Sequence, residues 1–75
     1  MEWQDNSATK PGFTLLEADD PDNPGHHYVI QRKDAVTGPY RLAYRSSDTE
    51  ALRIIYTDNT EDGCKQYAET YKGRQ

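Results

Sequence analysis

The sequence predicts an α+β fold, in which a three- to four-stranded antiparallel sheet carries one C-terminal helix packed on one face. Two observations lead to this prediction. Segments 27–33, 40–45 and 51–57 hold nearly half of the hydrophobic residues and are separated by turn-forming residues, as in an antiparallel meander. Near the C-terminus, Cys64, Tyr67, Ala68 and Tyr71 recur at the i, i+3, i+4, i+7 spacing of one helix stripe.

Length and composition predict one small domain with a thin core. The chain has 75 residues, and only 33% of them are hydrophobic. Six tyrosines, one Trp and one Phe nevertheless supply large side chains that can bury much area per residue. We therefore expect a single domain over residues 13–73, preceded by a flexible N-terminal segment over residues 1–12.

The N-terminal third offers one short strand. Residues 1–12 show no periodicity and end in a Lys-Pro-Gly breaker, and Trp3 either packs back onto the core or contacts a partner. Residues 13–18 place Phe13 and Leu15 on one face, which predicts an edge strand. Residues 19–25 contain two prolines and several Asp and Asn residues, which is typical of a solvated turn rather than a calcium site.

The next strands differ in how clearly they assign their faces. Residues 27–33 have no cleanly polar side, so either Ile30 or Val29 could point inward. In residues 40–45 the apolar and basic side chains alternate, which places Arg41 and Arg45 together on one face.

Residues 51–57 fit two structures. A Ser47/Glu50 capping box favours a helix, whereas the alternation of Leu52, Ile54 and Tyr56 and the β-branched content favour a strand. We predict a strand. The predicted core consists of Leu42, Leu52, Ile54, Tyr56, Tyr67 and Tyr71, with Ile30 or Val29 beside them.

The helix has start and stop signals. Asn59 or Thr60 can cap its N-terminus, and Gly73 can end it after Lys72. Gly63 does not fit this pattern well, because a glycine inside a helix costs about 1 kcal/mol relative to Ala.

Candidate metal and catalytic residues are sparse. Asp58, Asp62, Gly63 and Glu69 match positions 1, 5, 6 and 12 of an EF-hand loop, a resemblance that covers twelve residues and implies calcium binding. Thr60 and Lys65 depart from that motif. His26 and His27 would point to opposite faces of a strand, and the lone Cys64 is best explained as a small apolar side chain on the helix. We expect no enzyme activity, no cofactor and no bound metal.

Charge placement suggests where a partner binds. Net charge is −5 over residues 1–25, +2 over residues 26–57 and −1 over residues 58–75, and the chain totals −4. If the last two strands pair, Arg41, Arg45 and Arg53 can share the face that a helix would leave open. The predicted partner-binding residues are Arg41, Arg45, Arg53, Tyr28 and Trp3.

The function class that these features favour is a small acidic, non-enzymatic protein-binding module, acting as an adaptor or stoichiometric inhibitor of a larger protein. Three alternatives stay open: an acidic nucleic-acid mimic that blocks a nucleic-acid-processing enzyme, a single-stranded nucleic-acid binder using the Arg/Tyr face, and a calcium-binding module. The pI of about 4.9 favours protein over nucleic acid as the partner. We expect no membrane partner and a cytoplasmic location, because the N-terminus has no apolar stretch and one cysteine cannot form an internal disulfide.

Overall fold

Five antiparallel strands form one sheet in the order β1-β2-β3-β4-β5, and a C-terminal helix packs on it. The computed structural model describes residues 1–33, 38–46 and 51–71. The elements are β1 (Gln4–Asp5), a 3₁₀ turn (Ser7–Thr9), β2 (Phe13–Asp19), β3 (His27–Lys33), β4 (Tyr40–Arg45), β5 (Arg53–Asp58) and α1 (Glu61–Tyr71). The predicted α+β class is confirmed, but the sheet has five strands rather than three or four.

The additional strand lies in the segment expected to be flexible. Gln4 and Asp5 pair with Glu17 and Leu16 of β2. The Asn6 amide then donates a 2.8 Å hydrogen bond to the Leu15 carbonyl. Strand β2 is therefore not the edge strand that the sequence predicts. A two-residue strand with both side chains exposed has no hydrophobic periodicity, so no sequence pattern marks it.

Residues 53–58 form a strand, as predicted, but with a β-bulge that the sequence does not reveal. Leu42 pairs with Tyr56 while the next residue, Ala43, pairs with Ile54, so Ile55 is the extra residue. A bulge moves the residues before it onto the opposite face. The predicted core positions Leu52 and Ile54 are consequently wrong: they are 41% and 46% exposed.

The core fills the space between α1 and one face of the sheet. Its buried members are Leu16, Tyr28, Ile30, Leu42, Tyr44, Cys64 and Ala68, and Trp3, Tyr40, Ile55, Tyr56, Tyr67 and Tyr71 pack against them. Tyrosine rings form much of this layer, since Tyr56 and Tyr67 stack at 4.2 Å and Tyr28 meets Tyr44 edge-on at 5.0 Å. The aromatic residues thus compensate for the small number of aliphatic ones.

The helix begins where the sequence predicts. The Thr60 hydroxyl accepts a 3.0 Å hydrogen bond from the Gly63 amide, which is the geometry of an N-cap. Three parts of the chain lie outside the described residues: the predicted helix stop at Lys72 and Gly73, the Ser47/Glu50 capping box, and residues 34–37 between β3 and β4. Within the described ranges, no helix is long and apolar enough to cross a membrane.

Candidate functional site on the open face of the sheet

The sheet face opposite α1 carries the candidate site, and strand register defines its residues. One cross-strand row runs Glu17, Val29, Ala43 and Ile54, and the row beside it runs Leu15, Gln31, Arg41 and Thr57. Phe13 and Lys33 lie at one end of this face, and Asp19, His27 and Arg45 lie at the other. We call this surface the open face. Among the described elements, α1 is the helix that packs over the sheet, and it lies on the other side.

The centre of the open face is apolar and closely covered. Val29 is 2% exposed and Ala43 is 0% exposed, although no described helix lies over them. Both side chains are short, so the longer side chains around them exclude water. Ile54 extends this apolar centre toward β5 and is largely exposed.

Four cations surround this centre. Lys33 and Arg41 are exposed, Arg45 is half-buried, and the Nζ of Lys10 lies 4.5 Å from the centroid of the Phe13 ring. None of the four forms an ion pair with another described residue.

Three carboxylates, Glu2, Glu17 and Asp19, lie near Arg45 at one end of this face. Glu17 accepts a 2.9 Å hydrogen bond from Asn6, and Asp19 lies 2.9 Å from the Nδ1 of His27. Because a hydrogen bond leaves a carboxylate charged, these acids offset Arg45, and the positive charge of the open face is concentrated at its Phe13 end, around Lys10, Lys33 and Arg41.

The acids of α1 lie on the opposite side of the molecule. Asp62 and Glu69 are exposed on the helix, and Glu61 pairs with Lys65 at 3.0 Å. The acids of α1 are therefore separated from the cations of the open face, whereas Glu17 and Asp19 of the acidic N-terminal block lie on the open face itself. An uneven charge distribution of this kind can orient an approaching partner.

The structure places the predicted partner-binding residues in three different environments. Arg41 and Arg45 lie on the open face, as predicted. Arg53 does not, because the bulge sets it opposite Tyr44 and its Nη2 donates a 2.8 Å hydrogen bond to the Tyr71 hydroxyl. Tyr28 is 0% exposed in the core, so the prediction that it contacts a partner at the surface is wrong for the folded chain. Trp3 is half-buried against the core, one of the two positions the sequence allowed.

A cavity of about 430 Å³ opens at the Phe13 end of the open face. Its lining residues are Lys10, Phe13, Gln31, Arg32, Lys33, Gly38, Pro39 and Arg41. Lys10, Phe13 and Lys33 were not among the site residues predicted from the sequence. Strand alternation could have placed Lys33 beside Gln31, but the packing of Lys10 on Phe13 depends on a turn that carries no periodic signal.

The calcium-like segment folds differently from the loop it resembles. Asp58 ends β5, and its carboxylate accepts hydrogen bonds from the Thr60 amide at 2.9 Å and from the Tyr56 hydroxyl at 3.0 Å. Hydrogen bonds from Thr60 and then from Tyr56 lower the pKa of Asp58. Asp62, Gly63 and Glu69 lie within α1, so the coordinating loop is replaced by a helix. No cluster of three or more His, Cys, Asp or Glu side chains in the described part of the chain could hold a metal ion.

The remaining reactive side chains serve the fold. Cys64 is 0% exposed, and burial, followed by the nearby Asp58 charge, raises the pKa of its thiol. A raised pKa keeps the sulfur in its less nucleophilic form. His26 and His27 bind different partners, the Tyr44 hydroxyl and the Asp19 carboxylate, and do not converge.

Comparisons with protein-family models, with curated proteins and with solved structures found no significant match to this chain.

Proposed function

We propose that the protein is a small non-enzymatic binding module that holds an acidic segment of a larger protein partner on its open face, as an adaptor or stoichiometric inhibitor. The observation that carries this proposal is an apolar centre bordered by four cations, three of them at the Phe13 end, on a molecule whose net charge is −4. Protein interfaces commonly combine a desolvated apolar centre with a polar rim. Complementary charge on the partner would then select the binding partner and increase the association rate.

The positions of the aromatic residues favour protein over nucleic acid. Proteins that bind single strands stack bases on exposed aromatic rings. Here all six tyrosines belong to the core or pack against it, and the Arg32 guanidinium lies over the Tyr40 ring, 5.0 Å from the ring centroid. The open face presents only Phe13 among its described aromatic side chains, with Lys10 over one side of the ring, so it offers one ring where successive bases would need several.

Mimicry of nucleic acid by the carboxylates of this chain is a weaker candidate function. A mimic needs a row of carboxylates free to replace phosphates. Several acids here already have local partners: Asp5, Glu17, Asp19, Asp20, Asp58 and Glu61 each accept a hydrogen bond or join an ion pair. These contacts support a structural role for the carboxylates rather than a role in binding a partner.

Cys64 bears on the location of this activity. It is a free, buried thiol, so the described fold does not use a disulfide. A reducing compartment such as the cytoplasm suits such a protein, and we include that location in the proposal.

A selection from random peptides tests the proposal, because the sequences of the enriched peptides reveal which side chains the protein binds. The protein would be screened against displayed random 12-residue peptides, and the enriched peptides would be measured individually by fluorescence anisotropy. We expect enrichment of peptides that combine Asp or Glu with apolar residues. An Arg41→Gln, Arg45→Gln double variant should weaken their binding on the order of 10-fold, because each substitution removes a rim charge.

The matched control removes two cations from the helix side. An Arg53→Gln, Lys65→Gln double variant changes the net charge by the same amount and leaves the open face intact. Its binding should stay within about 2-fold of the unsubstituted protein, since substitutions outside an interface change affinity little. Equal losses in both double variants, or selected peptides without acidic residues, would refute the proposal.

A further inference from the structure

The cavity at the Phe13 end of the open face has the size and lining of a small-ligand site. Its volume of about 430 Å³ lies within the roughly 300 to 1,000 Å³ typical of ligand pockets. It combines an aromatic side chain, an amide and several cations. Ligand pockets typically pair an apolar surface with a few polar groups in this way.

Positive charge converges on this cavity from three segments. Lys10 precedes β2, Lys33 ends β3 and Arg41 is the second residue of β4. None of the described lining residues is a carboxylate. Arg32 also lines the cavity, but its guanidinium packs on Tyr40 and donates to that hydroxyl at 3.3 Å, so we assign it no direct ligand contact.

A tight turn fixes the aromatic part of the lining. The Phe13 amide donates a 3.2 Å hydrogen bond to the Lys10 carbonyl, and Gly12 has a φ of 86°, which favours glycine. This turn brings the Lys10 ammonium over the Phe13 ring. A ligand carrying negative charge and an organic group could therefore reach Lys10 and Phe13 together.

We infer that this cavity binds a phosphate monoester, with the phosphate among Lys10, Lys33 and Arg41 and the organic group against Phe13. A phosphate monoester carries a charge of about −1.5 to −2 at neutral pH and three acceptor oxygens, which matches three converging donors better than a single carboxylate does. The inference goes beyond the proposed function, because it requires only the cavity and holds whether or not an acidic segment binds the rest of the face.

Phenyl phosphate is the first probe. Its binding is monitored through the chemical shifts of the ¹⁵N-labelled protein. With eleven non-hydrogen atoms and exposed cations, its dissociation constant should be on the order of 1 mM. Shifts should concentrate at Phe13, Gln31, Lys33 and Arg41 and be absent from α1. Benzenesulfonate, which has the same ring and one negative charge, should bind about 5-fold or more weakly.

Two variants on the same face separate the cavity from general charge attraction. Arg41→Gln should weaken phenyl phosphate binding on the order of 10-fold, because it removes a charge-assisted donor. Arg45→Gln removes an equal charge at the other end of the open face and should change affinity less than about 2-fold. No localised shifts at 20 mM (roughly 20 times the expected constant), or equal losses in the two variants, would overturn the inference.

The same chemistry occurs in free organic phosphates and in phosphorylated residues. Free phosphotyrosine and a phosphotyrosine peptide with acidic flanks distinguish these sources. Tighter binding of the peptide by about 10-fold, with shifts extending to Ala43 and Ile54, would assign the site to a phosphorylated partner. Equal binding of the two probes would assign it to a small organic phosphate. Failure of both probes to bind would refute the site, whatever the outcome of the peptide selection.

Discussion

The hydroxyl of Tyr44 donates a 2.6 Å hydrogen bond to the carboxylate of Asp20, a residue that is only 4% exposed. Asp20 also accepts hydrogen bonds from the Asp22 amide and the Asn23 side chain, both at 2.9 Å. The Nδ1 of His26 lies 2.9 Å from the Tyr44 oxygen, which can accept a hydrogen bond from an Nδ1–H group because the Tyr44 proton is directed at Asp20. Residues 19–25, which the sequence predicts to be a solvated turn, are thus anchored to β4 through Asp20 and Tyr44.

Removing the Tyr44 hydroxyl should show how much this hydrogen-bond network contributes to the free energy of unfolding. We expect Tyr44→Phe to lower the free energy of unfolding by about 1.5 to 3 kcal/mol, the range for a hydrogen bond to a charged group. The ring contacts with Tyr28 and Tyr71 would be retained. Chemical denaturation followed by circular dichroism measures the change.

Tyr40→Phe is the matched control for this substitution. Its hydroxyl accepts a longer, 3.3 Å hydrogen bond from Arg32 at a half-buried site, so the loss should stay below about 1 kcal/mol. Similar losses of unfolding free energy in the two variants would show that the hydrogen bond to the Asp20 carboxylate stabilises the protein no more than the hydrogen bond between Arg32 and Tyr40.

The same carboxylate should make stability depend on acid pH. Burial by itself raises the pKa of Asp20, but hydrogen bonds from Tyr44, Asn23 and the Asp22 amide, with the nearby His26, outweigh it and lower the pKa below 3.8. A lowered folded-state pKa stabilises the fold above the unfolded-state pKa, and this stabilisation is lost as pH falls through the folded value. Wild type should therefore lose stability progressively below about pH 4.

Comparison with Asp20→Asn isolates this contribution. The variant should be less stable than wild type at pH 7, and the difference should shrink as pH falls toward about 2. Asp5 and Asp58 also have lowered pKa values, but both are present in the two proteins and cancel in the difference. A stability difference that does not change with pH would contradict this assignment.

Replacing Gly63 with Ala should not stabilise the protein, although Gly to Ala replacements inside helices usually do. Ala in place of an interior helix Gly normally gains about 1 kcal/mol. Here a Cβ on Gly63 would overlap the Asp58 carboxylate, which Thr60 and Tyr56 hold in place. We expect Gly63→Ala to destabilise the protein by about 1 to 2 kcal/mol, measured by thermal and chemical denaturation.

A double-mutant cycle tests that explanation. In an Asp58→Ala background the overlap is gone, so Gly63→Ala should become neutral or stabilising by up to about 1 kcal/mol. The same loss in both backgrounds would place the cause elsewhere than Asp58.

Periodicity accounts for what the sequence predicts well. The alternation in β4 and the stripe on α1 both require one buried face, so they reveal the sheet and helix directly. The two-residue β1 and the bulge at Ile55 leave no such pattern. The bulge alone misplaces Leu52, Ile54 and Arg53, since one inserted residue reverses the faces of every residue before it.

The tyrosines show a different limit on predicting the site. In a chain with few aliphatic residues, an excess of Tyr can supply either a core or a binding surface, and composition does not distinguish the two. Tyr28 illustrates this, because its buried ring contacts Tyr44 and Tyr71 rather than solvent. Arg41 and Arg45 were predictable, because they alternate with side chains that must be inside.

Short single-stranded DNA or RNA should show no measurable binding at about 150 mM salt, where the Debye length is roughly 8 Å. The open face presents cations but only one described aromatic ring, Phe13, whereas single-strand binders stack successive bases on several. The net charge of −4 further opposes a polyanion. Anisotropy of a labelled oligonucleotide checks this, with the Arg41→Gln, Arg45→Gln double variant beside the Arg53→Gln, Lys65→Gln double variant. Micromolar binding that weakens with salt and disappears only in the first variant would make nucleic acid the ligand of the open face, since such loss of affinity with salt marks direct phosphate contacts.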